Sequence, residues 1–160
     1  CYHVFEDIDT LYLVLECCEG GELYELVCEN RQNLNEVMIA DIFRQMMSSI
    51  YYLHQLGIAH LDLKPENFMF RDIQQKQLVL IDFGMAKIIE FRKYFDHTVG
   101  SPFYVAPEVL KNHYDEACDI WALGICLFVM IFGFAPFFDK NKDSRTIYKK
   151  ILKGFSPKVQ

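Results

Sequence analysis

Between residues 36 and 56, apolar side chains recur every third or fourth position: Ile39, Ile42, Phe43, Met46, Ile50 and Leu53. That period places them along one face of an α-helix. Asn35 suits the N-cap and Gly57 the stop, so the pattern predicts a helix over about 36–56. A second amphipathic pattern, over about 143–153, ends near Gly154. Residues 116–132 are apolar almost all round and predict a buried helix. The β-branched and apolar run LYLVLE (11–16) predicts a buried strand, and FMF (68–70) and LVLI (78–81) predict two short strands around a turn. ECCEGGEL reads as a linker with two glycines, followed by a short helix over about 22–29. Residues 82–113, broken by Gly84, Gly100, Pro102 and Pro107, read as irregular. There is no internal repeat and no low-complexity stretch. The order predicts a mainly helical α+β domain.

Composition narrows the partners. The chain has 160 residues, 52% of them hydrophobic, which is enough to build a core and excludes disorder over most of its length. A net charge of −6 argues against nucleic acid as the main partner, because phosphate binding calls for a basic stripe. An acidic surface suits basic peptides better. The cysteines at 1, 17, 18, 28, 118 and 126 form no CxxC pair and no zinc spacing with histidine. They read as reduced thiols, which points to a cytoplasmic location. The start, CYHVFEDIDT, has neither a charged n-region nor an apolar h-region, and without an initiator Met it reads as a cut within a longer protein.

One stretch has the length of a membrane span: residues 120–138 run 19 positions without a charge. Gly133 and Pro136 would end a helix early, and Asp115, Glu116 and Asp119 stand where a basic flank would be needed. A core helix is the expectation, with no membrane span.

The chemistry concentrates in HLDLKPENFMF (60–70). Asp, Pro and Asn alone would describe a surface turn. The stretch is followed, however, by IDFG (81–84), then by GSPFYVAPE (100–108), then by DIWALG (119–124). In this order the four motifs resemble the C-terminal lobe of a eukaryotic protein kinase, across nearly the whole chain. Lys two residues after Asp resembles the serine/threonine class. GGELYELV, the APEVL ending and ILKG look closest to the calcium/calmodulin-regulated group, and in particular to the calcium-dependent protein kinases of plants and protozoa. The resemblance implies a kinase-like α+β fold. It divides the chain into the end of the N-lobe sheet (1–16), the hinge (17–21) and the C-lobe (22–160, ending before the final helices).

The resemblance also implies roles. Phosphoryl transfer needs positioning and charge neutralisation. Asp62 would orient the substrate hydroxyl and accept its proton, and Lys64 would neutralise the moving phosphoryl group. Asn67 and Asp82, brought together by the 68–81 hairpin, would supply hard oxygens to Mg2+. The cosubstrate would be ATP. Its adenine would meet the Glu16 carbonyl and the Cys18 amide, with Leu15 as gatekeeper and Met69 beneath the base. Glu22 would meet the ribose and an Arg three residues before the phosphorylated Ser or Thr. Val129 stands where some relatives carry an acid for an Arg at −2. Alternatively, Glu22 is a solvated carboxylate at a helix N-terminus. His60 reads as a core histidine against Phe83. Asp119 would hydrogen-bond the catalytic-loop backbone, Trp121 would be core, and Ser101 keeps a hydroxyl for Asp62 or Lys64.

Some features depart from the family pattern. No glycine-rich loop or strand lysine is present, so the 160 residues alone are expected to be inactive while the parent protein is a kinase. A pseudokinase or scaffold module is the alternative, but it would usually have lost Asp62, Asn67 or Asp82. A small-molecule phosphotransferase would not need the GSPFYVAPE platform. No calcium loop occurs, so a calcium-sensing segment or calmodulin as regulator, outside this chain, comes from the resemblance alone. Leu61 replaces the usual Arg of the loop and cannot pair with an activation-loop phosphate. Thr98, or His97 in the place usual for the phosphorylated residue, lies near Asp96, Arg92 and Lys93. Activity independent of loop phosphorylation is expected.

Overall fold

The computed structural model describes residues 1–28, 31–90, 94–95 and 100–154. Its centre is a pair of packed helices. The first is α2, Glu36–Gln55, which starts where the Asn35 side chain accepts the Met38 N–H at 3.0 Å. Ile42, Met46, Ile50 and Leu53 form its buried face, as the three- and four-residue spacing requires. The second is α3, Ala117–Phe132. Its buried residues, among them Cys118, Ala122, Leu123, Cys126 and Val129, share one face, while Ile120, Gly124 and Ile131 on the other side are exposed, so the helix expected to be buried all round keeps an open face. Gly133, at φ 80°, ends it in the left-handed conformation that glycine adopts without a Cβ clash. No helix among the described residues is long and apolar enough to cross a membrane.

Two shorter helices complete the helical part. The first, α1 (Leu23–Cys28), buries Leu23, Leu26 and Val27. The last, α4 (Ser144–Lys153), is capped by Asp143, which accepts the Thr146 N–H, and buries Ile147 and Ile151.

Among the described residues, six short strands form three antiparallel pairs. The hairpin β4 (Phe68–Phe70) and β5 (Leu78–Leu80) is in register Phe68↔Leu80. The pair β3 (Ile58–Ala59) and β6 (Lys87–Ile88) was not expected: residues 82–113 are not wholly irregular, since Lys87 and Ile88 find partners that lie about thirty residues earlier. The third pair is β1 (His3–Glu6) with β2 (Leu11–Val14).

The strand expected in LYLVLE forms, but its expected burial does not. Every residue of β1 and β2 is exposed, with Leu11 at 60% and Leu13 at 55%. The apolar run reports β propensity, whereas burial requires something packed on the sheet. All six cysteines are free thiols. Burial pushes the Cys118 and Cys126 thiols well above their ordinary value, which makes them poor nucleophiles.

Candidate active site

The site is built on the loop between β3 and β4, and one buried carboxylate sets that loop. Asp119, 1% exposed, accepts the His60 N–H at 2.8 Å on Oδ2 and the Leu61 N–H at 2.9 Å on Oδ1. This is the contact that the kinase resemblance implied for Asp119, and it accounts for a charge at the head of an apolar helix. Leu61 is held at φ 69°. A non-glycine residue there costs about 1–2 kcal/mol, and two hydrogen bonds to a carboxylate offset that cost. The strained turn carries the next side chain, Asp62, out of the core towards Lys64 and Ser101.

His54, at the end of α2, places Nε2 2.9 Å from Asp119 Oδ2. Nothing in the helix period distinguishes it from an ordinary flank position, and it was missed in the sequence. His60 is fully buried. Its Nδ1 accepts the Asp62 N–H at 3.4 Å, its Nε2 lies 3.3 Å from the Ile81 carbonyl, and its ring meets Phe83 edge-on at 5.2 Å. Both nitrogens are engaged with the backbone, so His60 is structural.

The Asp62 carboxylate meets two donors. Lys64 Nζ reaches Oδ2 at 2.8 Å and Ser101 Oγ donates to Oδ1 at 2.9 Å. Lys64 also reaches Ser101 Oγ at 3.2 Å, so Ser101 bonds both expected partners. Burial alone would raise the Asp62 carboxyl, but the Lys64 and Ser101 hydrogen bonds and the Lys64 charge outweigh it and hold it below its ordinary value. Burial likewise opposes the Lys64 ammonium. Asp62, with Glu66 and Asp82 farther off, outweighs that and raises it. The carboxylate is therefore ionised and aimed.

Asn67, 4% exposed, donates Nδ2 to the Asp62 carbonyl at 2.8 Å. Its nitrogen is committed to the loop, which leaves its oxygen as the donor to a hard cation. Across the hairpin, Ile81 N–H donates to the Asn67 carbonyl at 2.8 Å, so the residue after Ile81 emerges beside Asn67. That residue is Asp82, at φ 59°, exposed, with Oδ1 accepting the Gly84 N–H at 3.1 Å. Among the described residues no group of three or more His, Cys, Asp or Glu could hold a metal. Asn67 and Asp82 fit a cation that retains water and phosphate oxygens as its other ligands, as Mg2+ does.

The expected adenine-side residues lie along the segment entering α1. Glu19 and Gly20 donate their N–H groups to the Arg71 and Phe70 carbonyls at 3.1 and 3.0 Å, and Glu22 forms an isolated bridge with Met69. The segment thus lies as an extra strand along β4, with Met69 half-buried at the junction. Glu16 pairs its carboxylate with Arg71, an ion pair that the sequence did not suggest. Cys18 is half-buried and Leu15 is 58% exposed. Val129 is buried, so no acid stands at that position on α3. Trp121 is half-buried and stacks on Phe137. Asp96, His97, Thr98, Arg92 and Lys93 lie outside the described residues.

Comparison with known proteins gives the same direction. The Protein kinase domain family matches residues 1–158. Calcium-dependent protein kinase 5 of Plasmodium falciparum (isolate 3D7) is 40% identical over 154 residues, covering 96% of this chain and 27% of that protein. Calcium-dependent protein kinase 29 of Arabidopsis thaliana is 38% identical over 151 residues, covering 94% of this chain and 28% of that protein. Calcium-dependent protein kinase 11 of Oryza sativa subsp. japonica is 39% identical over 153 residues, covering 94% and 26%. The chain spans about a quarter of the length of these relatives. With the match along nearly all of its length and the hydrogen-bonded Asp62 loop in place, the chain belongs to the protein kinase domain family.

Proposed function

We propose that this chain carries the catalytic part of a serine/threonine protein kinase that moves the γ-phosphoryl group of ATP to a protein hydroxyl. The observation that carries this is the Asp62 carboxylate, held ionised between Lys64 and Ser101 on a loop fixed by Asp119. Asp62 orients the Ser or Thr hydroxyl and takes its proton as the oxygen attacks. Lys64, which shares Asp62 and Ser101, neutralises charge on the phosphoryl group in flight. Asn67 and Asp82 would hold Mg2+, which when bound would neutralise the phosphates. Residues 17–21 form the hinge, where the Glu16 carbonyl and Cys18 N–H meet adenine between Leu15 and Met69. Residues 1–16 belong to the first lobe and 22–160 to the second.

Glu22, at the mouth of α1, is assigned to the ribose and to an Arg at −3 of the substrate, since an Arg–carboxylate pair is strong and directional. Val129 leaves no carboxylate on α3 for an Arg at −2. The names of the relatives support calcium as the regulatory signal, read by a calcium-sensing segment or by calmodulin outside residues 1–160.

The test uses the full-length protein. Asp62→Asn should lower phosphoryl transfer by orders of magnitude while nucleotide still binds, and Asp82→Ala should also weaken magnesium-dependent nucleotide binding. Near wild-type turnover in Asp62→Asn would refute the role of Asp62. A pseudokinase scaffold would show no transfer in the wild type either. A peptide array should show a preference for Arg at −3 that Glu22→Ala removes.

A further inference from the structure

The segment from Asp82 to Glu108 brings Ser101 to Asp62. It is tied down at both ends. Near its start, Lys87 and Ile88 pair as β6 with β3, directly before His60. Near its end, Gly100 sits so close to the loop that a Cβ would lie 2.8 Å from the Leu61 carbonyl, and Ser101 bonds Asp62. Between these points lies Phe95. Its N–H donates to the Tyr114 carbonyl at 2.8 Å, and its carbonyl accepts the Tyr114 N–H at 3.4 Å, an isolated antiparallel bridge. The two rings lie 5.3 Å apart. The Lys87 ammonium stands 5.5 Å from the centre of the Phe95 ring. Phe95 packs on the core, and Tyr114 is 1% exposed.

We propose that Phe95 is a positioning residue: it joins β6 to the turn that enters α3, and so holds Ser101–Glu108 against the Asp62 loop as a docking face for the substrate peptide. The two sides it joins frame that loop. Lys87 lies on the strand paired with the entry to His60, and Tyr114 leads into the helix whose Asp119 holds the His60 and Leu61 N–H groups. The backbone bridge sets direction. The ring, between a cation and a buried tyrosine, supplies attraction that needs no covalent modification.

This inference rests on the kinase reading, so the test includes a readout that does not. In the full-length protein, Phe95→Ala should raise the peptide KM about tenfold, as expected when binding held by preorganisation is lost. Nucleotide affinity should stay within about twofold, because the Asp62, Asn67 and Asp82 region keeps its own anchors. Phe95→Tyr, which keeps ring and bridge, should return the KM to within about twofold of wild type. Independently of activity, limited proteolysis between residues 82 and 108 should be about tenfold faster in Phe95→Ala than in Phe95→Tyr. Wild-type kinetics and wild-type proteolysis in Phe95→Ala would overturn the inference. So would a parallel loss of nucleotide affinity in both variants, which would make Phe95 a general folding residue. An inactive wild type would sink the kinase reading alone, since the proteolysis still decides the anchor.

Discussion

Asp119 carries more of the site than any other single side chain, because three donors converge on it: His54, and the backbone of His60 and Leu61. Asp119→Ala would leave two buried N–H groups without acceptors, at about 1–3 kcal/mol each. Chemical denaturation should therefore show a loss of at least about 2 kcal/mol, together with reduced turnover as Leu61 relaxes from its left-handed conformation. The Asp62–Lys64 pair has a defined pH window. Asp62 is depressed in the folded state, so its contribution is complete above the ordinary carboxylate value of 3.8 and is lost as pH falls through its lower folded value. Lys64 is raised, so its contribution is complete below 10.5 and is lost as pH rises through its higher folded value. The stability difference between wild type and Lys64→Met should thus be flat from about pH 6 to about pH 9 and shrink at either extreme. Denaturation midpoints measured across pH check this.

The helices differ in what makes them form. α2 depends on its cap and one stripe: Asn35→Ala should cost about 1 kcal/mol in an unfolding experiment, the usual value of a lost N-cap. α3 has no side-chain cap and depends on packing of the face that carries Cys118, Ala122, Leu123 and Cys126. The hairpin of β1 and β2 has neither support, since all eight residues are exposed, and a lone two-stranded ribbon is marginal in water. Val4 faces Leu13 across the ladder, and with Leu11 and Val14 they offer a sheet edge and face to other molecules. Residues 1–160 should therefore self-associate with rising concentration in sedimentation velocity. Val4→Lys combined with Leu13→Glu, a pair of opposite charges, should restore the monomer.

Across the whole molecule, the segment 19–22 ties the first hairpin to the helical body by pairing along β4. Gly20 permits it. A Cβ there would lie 2.1 Å from the Asp72 carbonyl and 2.5 Å from the Phe70 Cβ, and these are backbone and strand atoms that cannot swing away. Gly20→Ala should cost about 1–3 kcal/mol by overpacking. In the full-length protein it should also weaken nucleotide affinity more than peptide KM, because Glu16 and Cys18 enter through this segment. For residues 1–160 alone, the prediction is no phosphoryl transfer above the level of Asp62→Asn, since the sequence holds no glycine-rich loop to cover the phosphates. Turnover that Asp62→Asn abolishes would show otherwise.

Local features were legible without coordinates. The spacing of Ile42, Met46, Ile50 and Leu53 declared α2, Asn35 and Gly57 its ends, and the four motifs the family, because helical period, capping and motif spacing are set by residues a few positions apart. The resemblance of these motifs to a kinase lobe also singled out Asp62, Lys64, Asn67 and Asp82 as the groups proposed for the chemistry. Only the tertiary structure decided the rest. His54 meets Asp119 from 65 positions away, Lys87 and Ile88 find β3, Phe95 finds Tyr114, and the apolar LYLVLE stays exposed. Each depends on which distant surface arrives opposite, and on a register where one step exchanges inside for outside. A residue's type fixes what it can bond to, but the closing of long loops around α3 selects the partner.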